Sequence, residues 1–190
     1  MNACRISKYL ALAIFAAAGI SPLSGHGGPG PEIAVEILKG FFPEAQDFER
    51  RHTELSPQAV SRIEQLSGIP LRESDRDLTL YVALVKDAQT GKPRSVGAVL
   101  ALDAEGEQGI IDVLVAYKPD GTVKKVRILN NRESKELESA AFLRQLEGKG
   151  PAEKWDLQKG FVLVGSSASA REIIRAVYRG MHLFLAFPRE

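Results

Sequence analysis

From Leu78 onwards, apolar positions recur in short runs with a period near two. LTLYVALV (78–85), SVGAVLALD (95–103), GIIDVLVAY (109–117) and TVKKVRIL (122–129) each read as a β-strand. The breaks between them, DAQTGKP, AEGEQ and KPDG, carry turn chemistry. Gaps this short join antiparallel neighbours, because a parallel crossover needs a dozen or more residues. The centre of the chain is therefore expected to be a four-stranded antiparallel meander.

On either side of it the period lengthens to that of a helix. EIAVEILKGFFPEA (32–45) predicts a short helix that ends near Phe41-Phe42-Pro43. SPQAVSRIEQLSG (56–68) predicts a cleaner one, with Ser56 as cap, Pro57 in the first turn, Val60, Ile63 and Leu66 on one face and Gly68 at the end. SKELESAAFLRQLEGKG (134–150) predicts a third, with Leu137, Ala141, Phe142 and Leu146 as its buried stripe. PAEKWDLQKG is a loop, and Phe161–Val164 reads as a short strand. The last helix is expected from about Ser169 to Phe187, with Ile173, Ile174, Val177, Met181 and Phe184 facing inward. Helices around an antiparallel meander, closed by a C-terminal strand–turn–helix, make an α+β fold.

The first 25 residues have a different character. Arg5 and Lys8 precede the apolar run Tyr9–Ile20, and SPLSG follows with small residues. That is the pattern of a secretory signal peptide, and the run is shorter than the roughly 20 residues of a membrane span. An uncleaved N-terminal anchor is the alternative. Residues 26–31 form a Gly/Pro linker, 32–77 an N-terminal helical segment and 78–190 the α+β domain. Export places the protein in the periplasm or on the outer face of the membrane.

Composition narrows the chemistry. The 190 residues are 44% hydrophobic and 26% charged, with a net charge of +1, so no basic excess points to nucleic acid. Removing Arg5 and Lys8 with the signal takes the charge from +1 to −1. The same cut removes Cys4, the one cysteine, and with it any thiolate chemistry or disulfide. His26, His52 and His182 are far apart and never at ligand spacing, so no metal site is expected.

The hydroxyl-rich turn Gly165-Ser166-Ser167-Ala168-Ser169 stands where the last strand hands over to the last helix. One reading is a capping box made by Ser169 and Glu172. The other is an anion site, because a helix N-terminus offers unpaired amides and a partial positive charge, and glycine lets a phosphate come close. A serine hydrolase is a third reading, but no G-x-S-x-G elbow surrounds these serines. Arg127, Asn130, Asn131, Arg132 and Glu133 form either a solvated loop or a polar lip over a ligand. Arg144, Lys149, Lys154 and Lys159 read as surface charge.

Taken in order, these pieces resemble the FMN-binding domain of membrane electron-transport complexes, such as the flavin subunits of the Rnf complex and the sodium-pumping quinone reductase. The resemblance covers roughly residues 95–180 and extends to stand-alone exported relatives. Arg132-Glu133-Ser134 is similar to that family's Arg-Glu-Thr or Arg-Glu-Ser loop, and Phe142–Lys149 to its FL-x-Q-x-x-GK helix. The flavin-attachment signature falls on Phe161–Ser169, where Gly165 and Ser169 match and Ser167 stands at the acceptor position. Phe161 stands where the family has an acid, Val164 where it has a hydroxyl residue and Ser166 where it has alanine.

The resemblance implies an exported electron carrier rather than a complete reductase. FMN phosphate would be held at Gly165, Ser166, Ser167 and Ser169, covalently through Ser167 or non-covalently, with Glu133 near the ring. It also implies a flavin transferase and membrane electron-transport proteins as partners. The alternative is a non-redox binding module on the same fold that has lost its flavin.

Overall fold

The computed structural model describes residues 32–153, 155–156 and 159–187. The signal peptide and the linker expected over residues 1–31, together with Lys154, lie outside the described residues.

Five strands form one antiparallel sheet in the order β1-β2-β3-β4-β5: β1 Asp47–Glu54, β2 Asp77–Lys86, β3 Pro93–Gly106, β4 Gly109–Tyr117 and β5 Val123–Asn130. The last four are the expected meander. The fifth, β1, comes from the segment expected to be helical. Its sequence DFERRHTE has a single large apolar residue, so no alternation announces it. It pairs along its whole length with β2, from Asp47↔Leu84 to Glu54↔Asp77. A charged edge strand of this kind owes its place to ladder hydrogen bonds and resists further pairing.

Each face of the sheet has its own cover. Helix α1, Val35–Lys39, and the following Phe41 and Phe42 pack with Tyr81, Ala83, Val99, Leu114 and Ala116. The opposite face takes the larger core, built on α2 (Pro57–Ser67) and α4 (Ser167–Ala186). Ile173, Ile174, Val177 and Met181 of α4 are fully buried against that sheet face, each contributing roughly 1.5–3 kcal/mol. Phe184, expected among them, is only half-buried, and its ring stacks on Tyr117 at 5.5 Å. Tyr117 Oη donates to the carbonyl of Val177 at 2.7 Å, which fixes α4 across the sheet.

Helix α2 keeps its expected boundaries. Ser56 Oγ accepts from Ala59 N at 3.2 Å, and Gly68 closes the helix at φ 66°. Its inward face is Val60, Ile63 and Ser67, whereas Leu66 is 61% exposed. The helix expected over 134–150 is broken. Ser134 caps a 3-10 turn over Lys135–Glu138, and Ser139 then caps a single helical turn, α3 (Ala140–Leu143). Serine side chains compete for backbone amides in this way, which is why a buried stripe alone did not make one helix. Leu137, Phe142 and Leu146 are buried as expected; Leu143 takes the place of Ala141.

Two charged side chains finish the α4 interface. Arg179 Nε lies 3.0 Å from Asp75 Oδ2, with the side chains 3% and 4% exposed. Arg179 also donates to the carbonyl of Asp103 at 2.9 Å, a group on β3 beyond its pairing with β2. No helix among the described residues is long and apolar enough to cross a membrane.

Candidate functional site

The Phe161–Val164 stretch is not a strand. It runs beside no other strand, and Val162 is 71% exposed. Gln145 takes the place of a neighbour: its Nε2 donates to Val162 O at 3.1 Å, and its Oε1 accepts from Val162 N at 2.8 Å.

At Gly165 the chain turns with φ 57°, a left-handed conformation that glycine tolerates. A Cβ at this position would lie 2.8 Å from Ser134 Cβ, so glycine also permits the close approach of the two loops. The Gly165 amide donates to Glu136 Oε2 at 2.8 Å.

Helix α4 starts two residues earlier than expected, and its cap is Ser166. Ser166 Oγ accepts from Ser169 N at 3.3 Å. The expected capping box of Ser169 and Glu172 therefore does not form. Glu172 pairs instead with Arg175 at 2.6 Å and with Arg72 at 3.7 Å. Capping requires extended backbone at the cap residue, and Ser166 has it at ψ 116°, whereas Ser169 is already inside the helix.

The three serines consequently do different things. Ser169 is fully buried, accepts from Glu107 N at 3.2 Å and donates to Glu133 Oε2 at 2.9 Å. Ser166 is spent on the cap. Ser167 is exposed in the first turn of a 20-residue helix. Among the described residues, the amides of Ser167 and Ala168 have no hydrogen-bond acceptor.

Glu133 joins three parts of the chain. Besides Ser169, it accepts from Gln108 N at 2.6 Å, so both its oxygens hold the tip of the β3–β4 hairpin against the start of α4. Its own loop is ordered by Asn131, whose Oδ1 accepts from Glu133 N at 2.7 Å and whose Nδ2 donates to Ser134 O at 3.0 Å. Arg132 of the same loop is exposed.

The structure thus brings all five candidate residues, Gly165, Ser166, Ser167, Ser169 and Glu133, to one place. It adds Glu136, which pattern reading did not single out, and Gln145, which the FL-x-Q-x-x-GK resemblance included without a role. At this turn an exposed hydroxyl, two amides without an acceptor among the described residues and the N-terminus of a 20-residue helix come together, a donor set whose chemistry suits an anion.

The described histidines, His52 and His182, lie elsewhere. His52 Nε2 is 2.9 Å from Asp77 Oδ1 and its Nδ1 is 3.1 Å from Thr79 Oγ1, while His182 packs edge-on to Tyr178. Burial holds the His182 imidazole below its ordinary pKa. Among the described residues no group of three potential metal ligands comes together.

No family model matches the chain, and no curated protein does. Among solved structures, the crystal structure of Shewanella oneidensis NqrC overlays 80% of this chain and 73% of its own, at 16% identity and a TM-score of 0.42.

Proposed function

We propose that this chain is an exported FMN-binding electron-transfer protein, with the flavin phosphate at the Gly165–Ser169 turn. The observation that carries the reading is the division of labour among the serines. Ser166 caps, Ser169 braces Glu133, and Ser167 alone is left exposed beside two free amides. It is also the residue at the acceptor position of the signature that the sequence resembles.

In this reading Ser167 Oγ would hold the phosphate, either as a hydrogen-bond donor or as the ester oxygen after a transferase delivers flavin phosphate from an activated donor, whose leaving group departs as the serine proton is lost. The amides of Ser167 and Ala168 donate to the remaining oxygens, and the α4 dipole favours their charge. Gly165 and Ser166 shape the turn, while Ser169 and Glu133 hold it to the hairpin tip. Bound FMN supplies one- and two-electron redox chemistry. A flavin transferase would make the ester, and membrane electron-transport proteins would exchange electrons with the protein.

One observation favours a second reading, a non-redox binding module without flavin. The Glu136 carboxylate already occupies the Gly165 amide, so that part of the turn is satisfied without phosphate. Uptake of FMN by the purified protein supports the first reading. Protein that stays colourless with added FMN supports the second.

A further inference from the structure

The segment that enters the serine turn is tied to the core by the side chains of Phe161, Leu163 and Val164, but its backbone has few ties of its own. Among the described residues, the backbone groups of Phe161, Leu163 and Val164 make no hydrogen bond, and Val162 relies on Gln145 alone. A side-chain amide that both gives to and takes from one residue supplies what a paired strand would supply there. Gln145 itself stands on firm ground, since Phe142 and Leu146 on either side of it are fully buried.

The geometry points to Gln145 as the positioning residue of the cofactor turn. By pinning Val162, it sets where the chain reaches Gly165, and so where Ser167 stands relative to the α4 amides. This inference rests on the FMN reading above. Val162 is the one residue of the stretch that is exposed and outside the core packing, so Gln145 sets the local path of the backbone there, and a displacement of about 1 Å at a binding group is enough to cost function. Stability and positioning separate here, because Val162 is exposed and the core beneath Gln145 is filled by other side chains.

The test uses the full-length exported protein, loaded with FMN, and two variants. Gln145→Glu keeps the shape and an acceptor for Val162 N, but loses the donor to Val162 O. Gln145→Met loses both. The readouts are amide hydrogen exchange, flavin content at limiting FMN, fluorescence anisotropy of the flavin that binds, and melting temperature.

The expected result for Gln145→Met is exchange at Val162 about tenfold faster, the equivalent of one net hydrogen bond. Exchange in the sheet and the melting temperature stay near those of the wild type. Flavin content falls several-fold, and the flavin that binds has lower anisotropy. Gln145→Glu shifts each readout in the same direction.

Variants that load like the wild type and keep its anisotropy overturn the role of Gln145 and leave the FMN reading standing. Loss of flavin accompanied by a large fall in melting temperature overturns it too, in favour of a purely structural role. A wild type that takes no flavin overturns the FMN reading itself, and the positioning role falls with it.

Discussion

Ser169 Oγ donates to Glu133 Oε2 at 2.9 Å, tying the first turn of α4 to a loop 36 residues earlier in the chain. The same hydroxyl accepts from Glu107 N, so one buried oxygen joins helix, loop and hairpin tip. Ser169→Ala leaves the Glu107 amide and one carboxylate oxygen without this partner. The expected loss is about 1–3 kcal/mol, read as a lower urea midpoint with an unchanged slope. A midpoint equal to that of the wild type would show that the bond contributes nothing.

Neighbouring serines should respond in opposite ways. Ser166→Ala removes the cap of α4 and is expected to cost about 1 kcal/mol. Ser167→Ala touches an exposed side chain and should leave stability within about 0.5 kcal/mol. Thermal melts of the two flavin-free variants side by side check the assignment. If Ser167→Ala is the more destabilising, the cap has been placed on the wrong residue.

Asp112 lies directly across the ladder from Asp103 and is 5% exposed. Burial raises its pKa above the ordinary carboxylate value, with the Asp103 charge adding to the shift and a hydrogen bond to Asn130 opposing it. A raised folded pKa means that the folded state holds the proton more tightly. The stability linked to this group is therefore full below the ordinary value of 3.8 and is lost as pH rises through the raised one. Asp112→Asn should accordingly be more stable than the wild type at neutral pH, by about 1 kcal/mol. Below the ordinary carboxylate range the difference should vanish. Urea midpoints across pH would sink this account if the gain persisted in acid.

Gly180 stands where α4 crosses β3. A Cβ there would run into Leu102 and come within 2.6 Å of Tyr117 Oη. Alanine is the better helix former by about 1 kcal/mol, so propensity alone predicts that Gly180→Ala stabilises. The crossing predicts the reverse, a net loss of about 1–3 kcal/mol from overpacking. A melting curve gives the sign directly.

Local chemistry made much of the fold legible. Ser56, Pro57 and Gly68 bound α2 because capping depends on a few adjacent residues, and β2–β5 follow from alternation between turn signals. What stayed hidden depends on distant neighbours. β1 is charged, and only the β2 ladder makes it a strand. Phe161–Val164 has strand composition, but its partner is a glutamine side chain.

The site was legible in the same uneven way. Composition and resemblance drew attention to the serine turn and Glu133, yet nothing local distinguishes a capping serine from an exposed one a residue later. Which serine caps is decided by the left-handed turn at Gly165 and by the loop pressed against it. Gln145 and Glu136 lay within segments already read as helical, and their roles appear only once those segments meet the turn.

The most direct measurement is the intact mass and denatured absorbance of protein exported from a host with a flavin transferase, compared with Ser167→Ala. A covalent anchor at Ser167 predicts flavin that stays attached through denaturation, with a mass gain of FMN less water, and neither in the variant. Flavin released on denaturation would make Ser167 a phosphate contact only. Protein that is colourless and takes up no added FMN would contradict the electron-carrier account altogether.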